Sequence, residues 1–305
     1  MTMEQSLRNR LIYGPLMALA LLALLALDHF AEAWTLNHLK AEVNDPRYGV
    51  GGIGLLVLLL VVLPLGVQEV ARLFAAEQVQ PYRAIATVGC WALVTHAFLT
   101  QFRPFRIVAA STLAFIIVGT MLAAALRRAW ARQSQEAIHR MAGTLLATLY
   151  LGGLAWFLMA LRVKHSQQEG GFQGSTLSIL MILIVVKITD VGAYFGGRAM
   201  GRHKLIPWLS PGKTWEGLLC GLLSAGIVGA LFAHWVLQLS WNKAFAYGVV
   251  LGLIGQLGDL LESLMKRDAE VKDSGRMIPG FGGVLDVIDS PLLAAPFAYL
   301  AFSLF

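Results

Sequence analysis

Charge is scarce in this chain. Lysine, arginine, aspartate and glutamate make up 14% of its 305 residues, whereas 57% are hydrophobic. An ordinary soluble domain carries about 25% charged residues, so this composition excludes the soluble globular class. Cysteine is nearly missing as well. The two present, Cys90 and Cys220, both lie inside apolar runs, which rules out a disulfide framework or a Cys/His metal cluster. No low-complexity tract, internal repeat or soluble domain interrupts the apolar pattern.

What is abundant is uninterrupted apolar sequence. Crossing a bilayer takes about 17 to 25 such residues. Eight windows qualify, at roughly 11–27, 51–67, 84–100, 107–126, 141–162, 175–197, 216–238 and 244–265, and a shorter uncharged ninth covers 291–305. The expected fold is therefore all-α, a polytopic integral membrane protein with about nine transmembrane helices. Ala31-Glu-Ala33 loosely resembles a signal-peptidase site, but the apolar run before it is longer than a signal core and further spans follow. An uncleaved first span is expected.

The net charge of +6 does not call for nucleic acid, because basic loops that set membrane orientation account for it. Sorted by alternate loops, 16 of the 24 Lys/Arg residues fall on the N-terminal side and 7 on the other, with Lys187 inside a span. This asymmetry predicts a cytoplasmic N-terminus. It also puts loops 196–217 and 266–290 on the cytoplasmic face, and leaves 28–50 and 163–174 as outer loops. Residues 1–165 read as scaffold and lipid contact, and 166–305 as a catalytic region.

Ionisable residues inside spans are costly and usually face a polar cavity. Lys187, Asp190 and Tyr194 are spaced i, i+3, i+7, on one helical face. Asp259, Glu262, Ser263 and Lys266 form a second such stripe. At about 1.5 Å per residue, both stripes reach a similar depth. Two readings stay open: self-neutralising pairs, or a polar cleft opening to the cytoplasm. The following segment, KDSGRMIPGFGGVLDVIDS, puts Pro279, Gly280, Gly282 and Gly283 in a tight turn ahead of Asp286 and Asp289. Glycines let backbone N–H groups approach phosphate, and aspartates suit a hard cation such as Mg²⁺. A plain turn with two solvated aspartates is the alternative. Gly212-Lys213-Thr214 is not a phosphate loop, since Pro207 stands where the motif needs glycine. The segment around it, with Arg198, Arg202, His203, Lys204 and Lys213, suits polyanions.

These residues resemble the signature of the phosphatidate cytidylyltransferases, the CDP-diacylglycerol synthases. The match runs through Ser263, Met265, Lys266-Arg267, Lys272-Asp273, Gly275, Ile278, Pro279, Gly282-Gly283, Asp286 and Asp289. Upstream, TDVGAYFGGRAMGRHKLIPWLSPGKTWEG is similar to a second block of the same family. Phe281 and Val287 stand where the signature has histidine and arginine. The resemblance implies transfer of a cytidylyl group from CTP to phosphatidate, with Mg²⁺ and a second cation as an option. It implies Asp259 and Asp286 as the metal pair, with Asp289 and Asp190 as lesser candidates. Lys266, Arg267 and Lys272 would contact phosphates, while Arg198, Lys204 and Lys213 would line the substrate entrance. Ser263, Gly282 and Gly283 would assist binding. CTP, phosphatidate and membrane lipids are the expected partners, and a homodimer is compatible with the sequence. A CTP-dependent polyprenol or isoprenoid lipid kinase, a transporter and an inactive paralogue are the competing readings.

Overall fold

The computed structural model describes residues 3–38, 49–132, 134–164, 174–236, 239–275 and 277–304. Lys40 and Arg47 of the first expected outer loop, residues 165–173 of the second, and Arg276 lie outside these. In chain order the elements are α1 (Met3–His38), α2 (Ile53–Ala76), α3 (Arg83–Leu99), α4 (Arg103–Arg106), α5 (Ala109–Trp130) and α6 (Ala137–Ala147). A π-helical turn (Thr148–Gly153) then leads into α7 (Leu154–Val163) and α8 (Gly174–Met200). The hairpin strands β1 (Lys204–Ile206) and β2 (Ser210–Thr214) follow, then α9 (Trp215–Val236), α10 (Trp241–Asp268) and α11 (Leu285–Leu304). Among the described residues, seven helical segments are long and apolar enough to cross a membrane. The expected span at 84–100 is the 17-residue α3, which is shorter. The expected ninth lies in α11, a continuous helix that contains Pro291 and Pro296. The protein is an all-α polytopic membrane protein with one small hairpin.

By its contacts the chain forms two units: Met1–Val163 with Asp268–Val287, and Lys164–Arg267 with Ile288–Phe305. The division expected at residue 165 differs in one respect, because segment 268–287 groups with the N-terminal helices. Hydrogen bonds from that segment to Glu69 of α2 are the physical reason.

In the first unit, α2 buries Leu55, Leu59, Leu63, Val67 and Val70, one stripe at helical spacing. Its answering face on α3 is Ala86, Cys90, Leu93, Val94 and Ala97. Outward faces stay apolar, as with Leu19 of α1 and Phe115 and Leu126 of α5, which suits hydrocarbon rather than water. Residues 28–38, expected in an outer loop, instead extend α1 by more than two turns. Asp28 and Glu32 there bind the fully buried Arg162 at 2.7 and 2.8 Å. Asp28 also accepts the Gly54 N–H at 2.9 Å, next to the start of α2.

In the second unit, α8 and α9 pack through small residues, with Gly192 against Ser224 and Gly196 against Cys220. Small side chains let membrane helices approach closely. The buried face of α10 runs through Ala244, Gly248, Leu251, Gly255, Gly258 and Glu262. Between α8 and α9 the basic segment expected as a loop forms an antiparallel hairpin, with Lys204 opposite Thr214 and Ile206 opposite Ser210. Thr214 ends the hairpin and caps α9, its hydroxyl oxygen accepting the Gly217 N–H at 3.1 Å.

Candidate active site

The second unit gathers the charges of α8, α10, the hairpin and the body of α11. Gln256, on the polar stripe of α10, donates to Asp190 Oδ1 of α8 at 2.7 Å. Lys213, projecting from β2, donates to Gln256 Oε1 at 2.9 Å and pairs with Asp259 Oδ2 at 2.5 Å. The two intramembrane stripes legible in the sequence thus meet through a glutamine and a hairpin lysine. Within its own stripe, Lys187 stays 3.8 Å from Asp190, with both side chains substantially exposed. One turn beyond Asp259, Glu262 is buried and takes the Lys266 ammonium at 2.8 Å.

Three carboxylates converge here. Asp259, Glu262 and Asp289 each offer an oxygen, all within 4.8 Å of one another. At that separation two unit negative charges repel by roughly 3 kcal/mol at an effective dielectric of 20. Lys213 and Lys266 offset part of this on Asp259 and Glu262. Asp289 is 3% exposed, and its Oδ2 has no hydrogen-bond partner among the described residues. A buried carboxylate oxygen lacking a donor, beside two further carboxylates, fits a hard divalent cation. Beside the cluster lies a groove of about 360 Å³, lined by Asp190, Tyr194, Ser210, Gly212, Lys213 and Gln256 among others. That volume falls within the usual range for small-molecule sites, about 300 to 1,000 Å³.

Around this groove, Arg198 is exposed and donates to the Tyr194 hydroxyl at 3.1 Å. The exposed Lys204 donates to the Pro211 carbonyl at 2.8 Å, bracing the hairpin. Arg267 reaches the Leu209 carbonyl at 3.3 Å, tying the end of α10 to the hairpin turn. Ser263 is half-buried next to Glu262. His203 and the backbone N–H groups of Arg202 and His203 converge on Glu216, so this histidine braces the entry to α9.

The remaining signature residues belong to the first unit. Lys272 is exposed. The turn is closed by Ile278 N–H to Gly282 O at 2.8 Å and Gly282 N–H to Ile278 O at 3.0 Å. Gly282, at φ 105°, has a backbone conformation open to glycine. Asp286 Oδ2 accepts from the Ser274 hydroxyl, the Ser274 N–H and the Gly283 N–H at 2.8, 3.1 and 2.7 Å. The amides of Gly282 and Gly283, expected to face phosphate, are thus both donated inside the turn. Of the expected metal pair, Asp259 lies in the carboxylate cluster of the second unit, and Asp286 Oδ2 takes its donors from its own loop in the first. Sequence reasoning missed Gln256 and Glu69 and left Glu262 off the site. Only the stripe position of Glu262 could have signalled it.

A helical membrane protein with a partly buried carboxylate cluster flanked by lysines is the class that fold and site define. A model of the cytidylyltransferase family matches residues 47–305, and the chain belongs to that family. It is similar to a phosphatidate cytidylyltransferase of Haemophilus influenzae, 42% identical over 145 residues, which are 46% of this chain and 50% of that protein. A phosphatidate cytidylyltransferase of Bacillus subtilis is 37% identical over 161 residues, 52% of this chain and 57% of the relative. An uncharacterized protein of Escherichia coli, YnbB, is 36% identical over 154 residues, 50% of this chain and 49% of its own length. The chain spans about half the length of the curated relatives it matches.

Proposed function

We propose that the chain transfers the cytidylyl group of CTP to phosphatidate, giving CDP-diacylglycerol and pyrophosphate. The observation that carries this reading is the convergence of the half-exposed Asp259 with the buried Glu262 and Asp289, flanked by Lys213 and Lys266. Family membership and the names of the Haemophilus and Bacillus relatives support it.

The nucleophile is a phosphate oxygen of the lipid, already anionic, so no side chain need remove a proton. It bonds to the α-phosphorus of CTP as the bond to the β-phosphate oxygen breaks, and pyrophosphate leaves with that electron pair. The barrier is electrostatic, since one polyanion attacks another. Lys213 and Lys266 supply positive charge for phosphate oxygens, and the groove beside Lys213 suits the nucleotide. Asp259, Glu262 and Asp289 would hold Mg²⁺, which when bound neutralises charge on attacking and leaving oxygens. Arg198, Lys204 and Arg267 add positive potential at the hairpin. We place the groove on the cytoplasmic side of the cell membrane, with the N-terminus on that side, from the Lys/Arg asymmetry.

Protein purified in detergent with Mg²⁺, phosphatidate and CTP should form a lipid identified by mass as CDP-diacylglycerol. No nucleotide-bearing lipid from CTP with any lipid phosphate would overturn the proposal.

A further inference from the structure

Between α10 and α11, the described residues from Ser274 to Val284 form no helix and pair only through an Ile278–Gly282 bridge. Besides Asp286 and the Ile278–Gly282 bonds, one side chain from a distant helix holds this segment. Glu69 of α2 accepts the Val284 N–H on Oε1 at 3.0 Å, and the Leu285 N–H and Ser274 hydroxyl on Oε2 at 2.8 and 3.2 Å. Val284 and Leu285 stand where α11 begins, so Glu69 caps that helix from more than 200 residues away. Glu69 is 3% exposed. Burying a carboxylate costs several kcal/mol, and these three donors offset it. The neighbouring glycines fit around it: a Cβ on Gly283 would lie 2.5 Å from Glu69 Oε2, and one on Gly275 would also collide with the carboxylate. The single Ser274 hydroxyl proton is shared between Glu69 and the nearer Asp286 Oδ2 at 2.8 Å, which links the two carboxylates.

We propose that Glu69 is a positioning residue for cytidylyl transfer. It touches no substrate. It fixes the first turn of α11, the helix that carries Asp286 and, one turn later, Asp289. This inference rests on the function proposed above. The chemistry of the contact makes a sharp demand, because each carboxylate oxygen meets a backbone N–H and Oε2 also takes a share of the Ser274 hydroxyl. A glutamine in this place has one oxygen, and its NH₂ would face an N–H or hydroxyl donor. An aspartate keeps both oxygens on a shorter stem.

The test pairs kinetics with a report on the loop itself. In a Cys220→Ala background, with Cys90 buried, Met277→Cys places a nitroxide on the exposed side of the segment. Glu69→Gln should sharpen the nitroxide spectrum, showing a freed loop. It should lower kcat per folded molecule about 10²-fold, the cost of roughly 1 Å of misplacement, with KM for CTP little changed. Glu69→Asp should restore part of both, and the milder Ser274→Ala should shift both in the same direction, keeping the test decisive should Glu69→Gln fail to fold. An unchanged spectrum with kcat per folded molecule within about threefold of the parent would overturn the proposal. A purely structural role would lower the thermal midpoint and leave both readings alone. Should the parent protein transfer no cytidylyl group, the functional reading fails by itself, and the spectra still decide whether Glu69 holds the turn.

Discussion

Asp259, Glu262 and Asp289 bring one carboxylate oxygen each to within 4.8 Å of one another. Each was visible in the sequence as an acid at helical spacing or in a signature, but their convergence was not. Which oxygens meet depends on how α10 packs against the body of α11, and that information is tertiary. The same holds for Asp286, which stands beside Asp289 in the motif yet spends Oδ2 on Ser274 and Gly283. Asp259→Asn and Asp289→Asn should each lower turnover at least about 10²-fold, roughly 3 kcal/mol of barrier. Near-normal rates from either variant would remove that residue from the site. Binding of Mn²⁺ to the purified protein, followed calorimetrically without substrates, should weaken at least about tenfold in Asp289→Asn, which is 1.4 kcal/mol. Equal affinity in parent and variant would mean that Asp289 holds no metal.

The helices themselves were legible because apolar length is a strong signal, and their ends were not. α1 runs through Asp28 and Glu32, which read as loop residues since charge normally marks a span's end. They are paid for by Arg162, more than 120 residues away, and no local pattern announces such a partner. Removing one member of a buried ion cluster strands the others, at a cost of about 3 to 5 kcal/mol. Arg162→Leu should therefore lower the thermal midpoint in detergent markedly, and an unchanged midpoint would show that the cluster does not support the fold. The hairpin was hidden for another reason. Pro207 and Pro211 argue against strands, but a two-stranded ribbon has only edges, where proline is tolerated. Thr214→Ala, which removes the cap on α9, should cost about 1 kcal/mol, readable as a smaller fall in the same midpoint.

Taken together, the apolar helices set the chain in a membrane, and the asymmetry of its lysines and arginines argues for one orientation. The hairpin end and the α9–α10 connection should then lie on opposite sides. In intact cells, a membrane-impermeant thiol reagent should spare Lys204→Cys and label Lys243→Cys, each in the Cys220→Ala background. Reversed labelling would invert the topology and put the groove outside, away from CTP. The functional claim is finer than topology, because a lipid kinase would share the donor, the metal and the membrane. The measurement that separates them uses CTP labelled at either the α- or the γ-phosphorus, with phosphatidate and the purified protein. Label from the α position should enter the lipid while γ label leaves as pyrophosphate; γ label in the lipid with release of CDP, or no lipid label from either, would contradict the account.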